Sequence, residues 1–125
     1  MSREINTIKD LMNDEELMSH VTEDLEDFTD DSEVTYEVWA IGYDEENNIT
    51  DAEMFIKEFT DPDEAVKYAK QITLADVIHK AAEENDTAEA IANITSISIE
   101  VETVVEDDDE STMNVGTVYK KQLII

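Results

Sequence analysis

Apolar residues recur along this chain with two different periods, and the switches between them mark out its elements. From residue 4 to 28, Ile5, Ile8, Leu11, Met12, Leu17, Met18, Val21, Leu25 and Phe28 fall mostly at three- and four-residue steps, the spacing that lines one face of an amphipathic helix. Asn13 followed by Glu16 has the form of a cap and predicts that this run is split into a helix pair with its carboxylates toward solvent. VTYEVWAIGY, residues 34 to 43, is β-branched and aromatic with apolar residues on both faces, which predicts an inner strand. DEENN then reads as a turn, and ITDAEMFIKEF, ending at Phe59, as the hairpin partner.

The clearest local signal comes next. In TDPDEAVKYAK, Asp61 stands at a helix N-cap, Pro62 at the first helical position and Glu64 at the third, a pattern that satisfies amides otherwise unpaired at a helix start. TLADVIHKAAEEN predicts a further helix, and DTAEAIAN a short one capped by Asp86. From Ile94 the pattern becomes strict alternation. Ile97, Ile99, Val101, Thr103 and Val105 fall on one face and Ser96, Ser98, Glu100 and Glu102 on the other, which predicts a strand with one wet, acidic side. DDDES reads as a charged loop and TMNVGTVYKKQLII as a last strand. The order α-β-β-α-β-β has no internal repeat and predicts an α+β fold, an antiparallel sheet of about four strands with helices, in one domain spanning residues 1–125.

Charge changes the picture from ordinary small domain to something specialised. The 125 residues hold 34 Asp and Glu against 8 Lys and Arg, a formal net charge of −26. From Asp10 to Ile56 there are seventeen acids and no Lys or Arg, so this stretch cannot form an ordinary salt-bridged surface. Its densest part, Asp10 to Glu33, carries eleven acids, and a cationic partner is the expected means of offsetting their self-repulsion. By the usual surface scaling that segment presents about one charge per 120 Å², close to the roughly one per 100 Å² of a DNA duplex.

The same composition excludes several classes of chemistry. With no cysteine there is no disulfide framework, thiolate nucleophile or thiolate metal site. Gly42 and Gly116 are the only glycines, so no phosphate-cradling loop exists, and neither does a nucleophile elbow. An EF-hand starting at Asp44 would have Ile49 where Gly is needed and Phe55 where the bidentate Glu belongs. His20 and His79 have no second histidine at ligand spacing. Eight cations scattered among thirty-four acids would repel a polyanion, so direct nucleic-acid binding is not expected. We expect no catalytic residues, no resident metal and no cofactor. Trp39, Tyr36 and Tyr43 have the chemistry of interface anchors, yet on an inner strand they are expected in the core. The N-terminal MSREINTIKD lacks a signal-type apolar core and no run approaches the ~18 apolar residues of a membrane span, so the expectation is a cytoplasmic protein that does not engage membranes.

Small size, extreme acidity, absence of cysteine and the strand-turn-strand-DPDEA-helix segment at residues 34 to 72 together resemble the small acidic proteins encoded by phages of low-GC bacteria, in particular the DNA-mimicking inhibitors of the anti-CRISPR type. The resemblance implies an inhibitor that occupies the cationic nucleic-acid groove of a host defence nuclease, such as an RNA-guided CRISPR effector. It carries over the class and no individual positions. From the residues themselves, the candidate contacts to such a basic partner are the acidic clusters Glu23, Asp24, Glu26, Asp27, Asp30 and Asp31; Asp44, Glu45 and Glu46; and Asp107, Asp108, Asp109 and Glu110. On a strand, alternate acids such as Glu100 and Glu102 would lie about 6.6 Å apart, near the spacing of successive phosphates. Two other classes stay open at this level: an adaptor binding a protein through the C-terminal sheet edge, and a weak divalent-ion binder.

Overall fold

In the computed structural model, residues 5–23, 25, 28–29, 32–46, 49–83, 94–106 and 111–124 are described. Two short helices come first, α1 (Ile8–Met12) and α2 (Glu15–Met18). Then come β1 (Glu33–Tyr43), β2 (Ile49–Phe59), α3 (Pro62–Gln71), α4 (Leu74–Glu83), β3 (Ser96–Glu106) and β4 (Thr112–Ile124). The expected α+β class and the order of its elements hold. The strands form one antiparallel sheet in the order β2-β1-β3-β4, so β1 and β3 are central and β2 and β4 are its edges.

The helix starts are written locally. The Asp61 carboxylate accepts hydrogen bonds from the Asp63 and Glu64 amides at 2.8 and 3.4 Å, and Pro62 opens α3 as its spacing predicts. α4 begins with a reciprocal pair: the Thr73 amide donates to Asp76 Oδ2 at 2.9 Å and the Asp76 amide to Thr73 Oγ1 at 3.3 Å. That is a capping box closed by Asp rather than Glu. The hydrogen bond from the Thr73 amide, followed by that from the Thr73 hydroxyl, holds the Asp76 carboxyl below its ordinary range. The C-terminal end of α3 is tied to the sheet, because Lys121 Nζ donates to the Lys70 and Ile72 carbonyls at 2.9 and 2.6 Å.

The N-terminal run differs from its periodicity in two ways. The split falls one residue later than expected: Asp14 caps α2 by accepting from the Leu17 amide at 3.0 Å, while Asn13 closes α1 with its side-chain amide on the Lys9 carbonyl. Beyond Met18 the helix does not continue. Val21 forms a β-bridge with Gly116, and the Thr22 amide donates to the Val115 carbonyl at 2.8 Å. Pairing with a strand ninety-odd residues away outweighs local helical spacing. It also requires glycine at 116, since a Cβ there would lie inside the contact radius of the His20 carbonyl oxygen. The proposed DTAEAIAN helix at 86–93 and the acidic loop at 107–110 lie outside the described residues.

One core holds these elements together. Val34, Tyr36, Val38 and Ala40 from β1, and Ile97, Ile99, Val101 and Val105 from β3, project from the same face of the sheet. The buried residues of all four helices, among them Ile8, Leu11, Leu17, Ala65, Ala69 and Val77, join this single cluster. The helices therefore cover one side, here called the inner face. The opposite, outer face contributes nothing to that cluster. No described helix is long and apolar enough to cross a membrane.

Candidate functional site

Alternation along β1 and β3 decides what the outer face carries. With inner positions taken by Val34, Tyr36, Val38 and Ala40, the outer positions of β1 are Glu33, Thr35, Glu37, Trp39, Ile41 and Tyr43. Antiparallel register then sets Glu33 opposite Glu106, Thr35 opposite Val104, Glu37 opposite Glu102, Trp39 opposite Glu100 and Ile41 opposite Ser98. On the other flank β2 places Glu58 beside Glu37, Phe55 beside Trp39 and Glu53 beside Ile41. The bulge between Val38 and Trp39 keeps Phe55 and Glu58 on the same side despite their odd spacing. On β4, Lys120 lies opposite Glu100 and Thr117 opposite Glu102.

Seven carboxylates thus share this face: Glu33, Glu37, Glu53, Glu58, Glu100, Glu102 and Glu106. Same-face positions repeat about every 6.6 Å along a strand and about 4.8 Å between strands. The area spanned is on the order of 450 Å², or roughly 65 Å² of projected sheet per carboxylate, and once the proton on Glu102 and the Lys120 charge are counted the net charge density is comparable to that of a DNA duplex. Like charges directly opposite one another destabilise a sheet, and Glu37 with Glu102 is such a pair.

The side expected to be wet is not. Ser96, Ser98 and Glu100 are buried, Glu100 with only 8% of its surface exposed, and Glu102 is half-buried. Among the described residues the helices pack on the inner face, and neighbours on two flanking strands enclose the centre of the outer one. Burial pushes the Glu102 carboxyl up to about 7, with the Glu100, Glu37 and Glu53 carboxylates adding to the rise. Glu102 therefore keeps its proton to a far higher pH than an ordinary glutamate.

Aromatic side chains stand in the middle of these acids. Trp39 Nε1 donates to Glu37 Oε1 at 2.9 Å, and the Trp39 and Phe55 rings meet edge to face with centroids 5.6 Å apart. Of the three aromatics expected in the core on β1, Tyr36 is there, fully buried. Trp39 and Tyr43 are half-buried on the outer face instead. Lys120 Nζ sits 5.8 Å from the Tyr43 ring centroid. Between Tyr43, Lys120 and Gln122 opens a recess of about 480 Å³ lined also by Ser98, whose hydroxyl is buried without a hydrogen-bond partner.

The acids singled out by density along the chain are distributed differently. Glu23 is exposed beside Asn114 and Thr117 of β4. Asp44, Glu45 and Glu46 form the β1–β2 turn, with the Glu46 amide on Asp44 Oδ1 at 2.9 Å. These two places are more than ~20 Å apart by strand rise, so the structure does not bring them together. Asp24, Glu26, Asp27, Asp30, Asp31, Asp107, Asp108, Asp109 and Glu110 lie outside the described residues. Counting acids missed the outer-face set because its members are spread over β1, β2 and β3, and only the register assembles them. The signal within reach was the alternation of Glu100 and Glu102 against an apolar face.

Among the described residues, no group of three or more His, Asp or Glu side chains is arranged to hold a metal ion. Comparison with protein-family models, with curated proteins and with solved structures finds no match for this chain.

Proposed function

We propose that this protein is an acidic decoy that occupies the cationic groove in which another protein holds nucleic acid, and that the outer face of the sheet is the surface it presents. The reading rests on one observation above the rest, seven carboxylates gathered on one sheet face at a density comparable to the charge density of duplex DNA. A groove that binds nucleic acid aims Lys and Arg at phosphates, and carboxylates fixed on a sheet at comparable spacing can satisfy those cations while offering no scissile bond. The resemblance to anti-CRISPR inhibitors makes an RNA-guided nuclease of a host bacterium the partner to try first, acting in the host cytoplasm. No catalysis and no direct contact with nucleic acid enter the proposal.

The test is displacement. A labelled target duplex bound to a guide-loaded RNA-guided nuclease is titrated with the protein and followed by fluorescence anisotropy. Release of duplex by the wild type, and at least tenfold weaker release by a Glu37→Gln, Glu53→Gln, Glu58→Gln variant of unchanged circular dichroism, is the expected result. Full potency in that variant would move the contact surface elsewhere, with Glu23 and the clusters at 24–31 and 107–110 next to be neutralised. A second reading, an adaptor bound through the sheet edge, draws on β4 being an edge strand with Ile124 70% exposed. Binding of that kind would be indifferent to salt and would be lost in Ile124→Asp.

A further inference from the structure

The centre of the outer face differs from its rim. At the rim Glu33, Glu53 and Glu58 are exposed, as expected of acids that act through long-range attraction. At the centre Glu100 is buried and Glu102 half-buried. Drawing carboxylates together away from water is costly, and here they stand next to an indole.

Resting on the decoy reading, we propose that Trp39, Glu100 and Glu102 form a docking site for one arginine side chain of the partner. Register puts Glu100 directly across from Trp39, Glu102 one outer position along β3 and Ser98 one position the other way. A guanidinium laid on the Trp39 ring has Glu100 directly beside it, with Glu102 and Ser98 one outer position away on either side. Arginine suits this better than lysine, because it stacks on aromatic faces and its planar fork serves several acceptors at once.

Two observations besides the acids point to a ligand. Ser98 is 1% exposed, its hydroxyl has no hydrogen-bond partner among the described residues, and it stands on the same face as Glu100. The indole is also held ready, since the Trp39 Nε1 bond to Glu37 fixes one edge and the Phe55 ring the packing of another. Charge complementarity selects a cation. Lys120 is the only lysine on this face among the described residues, and it leans over Tyr43.

The titratable groups that face Glu102 are Glu33 and Glu37 on β1, Glu53 and Glu58 on β2, Glu100 and Glu106 on β3, and Lys120 on β4 directly across from Glu100, with Tyr43 at the far end. A guanidinium among them favours the charged form of each carboxylate. Glu102 holds its proton up to about 7 when the site is empty and gives it to solvent when the site fills. Linkage then requires binding to tighten as pH rises, by about tenfold between pH 6 and pH 8 for one proton released with that midpoint.

Trp39 is the only tryptophan in the chain, so its fluorescence reports on this site and no other. The experiment titrates the full chain with a tri-arginine peptide amide at pH 6, 7 and 8 at constant ionic strength, reading Trp39 emission and, in parallel, heat by calorimetry. The expected result is a saturable change in emission with affinity about tenfold higher at pH 8 than at pH 6, and a flat pH profile in Glu102→Gln at an affinity below that of the wild type at pH 6. Heat of binding with no response from Trp39, or the same pH dependence in Glu102→Gln, would overturn the docking site and leave the decoy reading standing. No binding of the peptide by either readout would contradict both.

Discussion

At Glu102 the direction of a single titration fixes what pH does to the fold. Its carboxyl is raised from 4.5 to about 7, so the native state holds a proton that the unfolded chain has already lost. Stability from this group is fully present below about 4.5 and is lost as pH rises through about 7. The full shift would be worth about 3.4 kcal/mol, and solvent screening at a half-exposed side chain reduces this to the order of 1–2 kcal/mol. We expect the wild type to melt several degrees higher at pH 5 than at pH 8. Glu102→Gln, which fixes the neutral shape, should melt higher than wild type at pH 8 and show a smaller difference between the two pH values in scanning calorimetry. Equal pH dependence in both proteins would mean that other carboxylates govern it. Gly116 is decisive for steric reasons instead. Gly116→Ala would drive a methyl into the His20 carbonyl and should cost about 1–3 kcal/mol in urea unfolding; an unchanged midpoint would show that the 20–22 segment is free to move away from β4.

Among the elements, α3 is held at its start by one side chain. Asp61→Ala removes the acceptor of the Asp63 and Glu64 amides and should lower stability by about 1 kcal/mol, measured by chemical denaturation, whereas Asp61→Asn should recover most of it. Caps of this kind are legible in sequence because the bonding groups are two or three residues apart. So were β1 and β2, whose limits follow composition and the DEENN turn. What could not be read were facts that depend on distant pairing. Residues 19–23 have helical spacing, but the Val21 bridge to Gly116 turns them toward the sheet. Glu100 looked solvent-facing because its neighbours along β3 are polar, yet its surroundings are set by Trp39 across the register and by residues of β4. For the same reason Trp39 was misplaced in the core: β1 is apolar on both faces, and only the position of the helices decides which face is the interior.

Over the whole molecule, a surface of 7771 Å² carrying a net charge of −26 averages about 300 Å² per charge, against roughly 100 Å² on duplex DNA. Self-repulsion at this density is screened by salt, so the melting temperature at pH 8 should rise between 20 and about 500 mM NaCl; a fall would mean that ion pairs dominate. The same average limits how closely the protein can imitate a nucleic acid. Its outer face approaches the charge density of DNA only locally and cannot condense counterions as a long polyanion does. Displacing nucleic acid from a groove should therefore release fewer ions than nucleic-acid binding itself. The decisive measurement is a pair of titrations of one nuclease, with duplex DNA and with this protein, across roughly 50 to 200 mM salt, together with a competition between the two ligands. Mutually exclusive binding, with an affinity that falls with salt less steeply than that of DNA, is the predicted result. A salt-independent affinity, or simultaneous binding of both ligands, would contradict it.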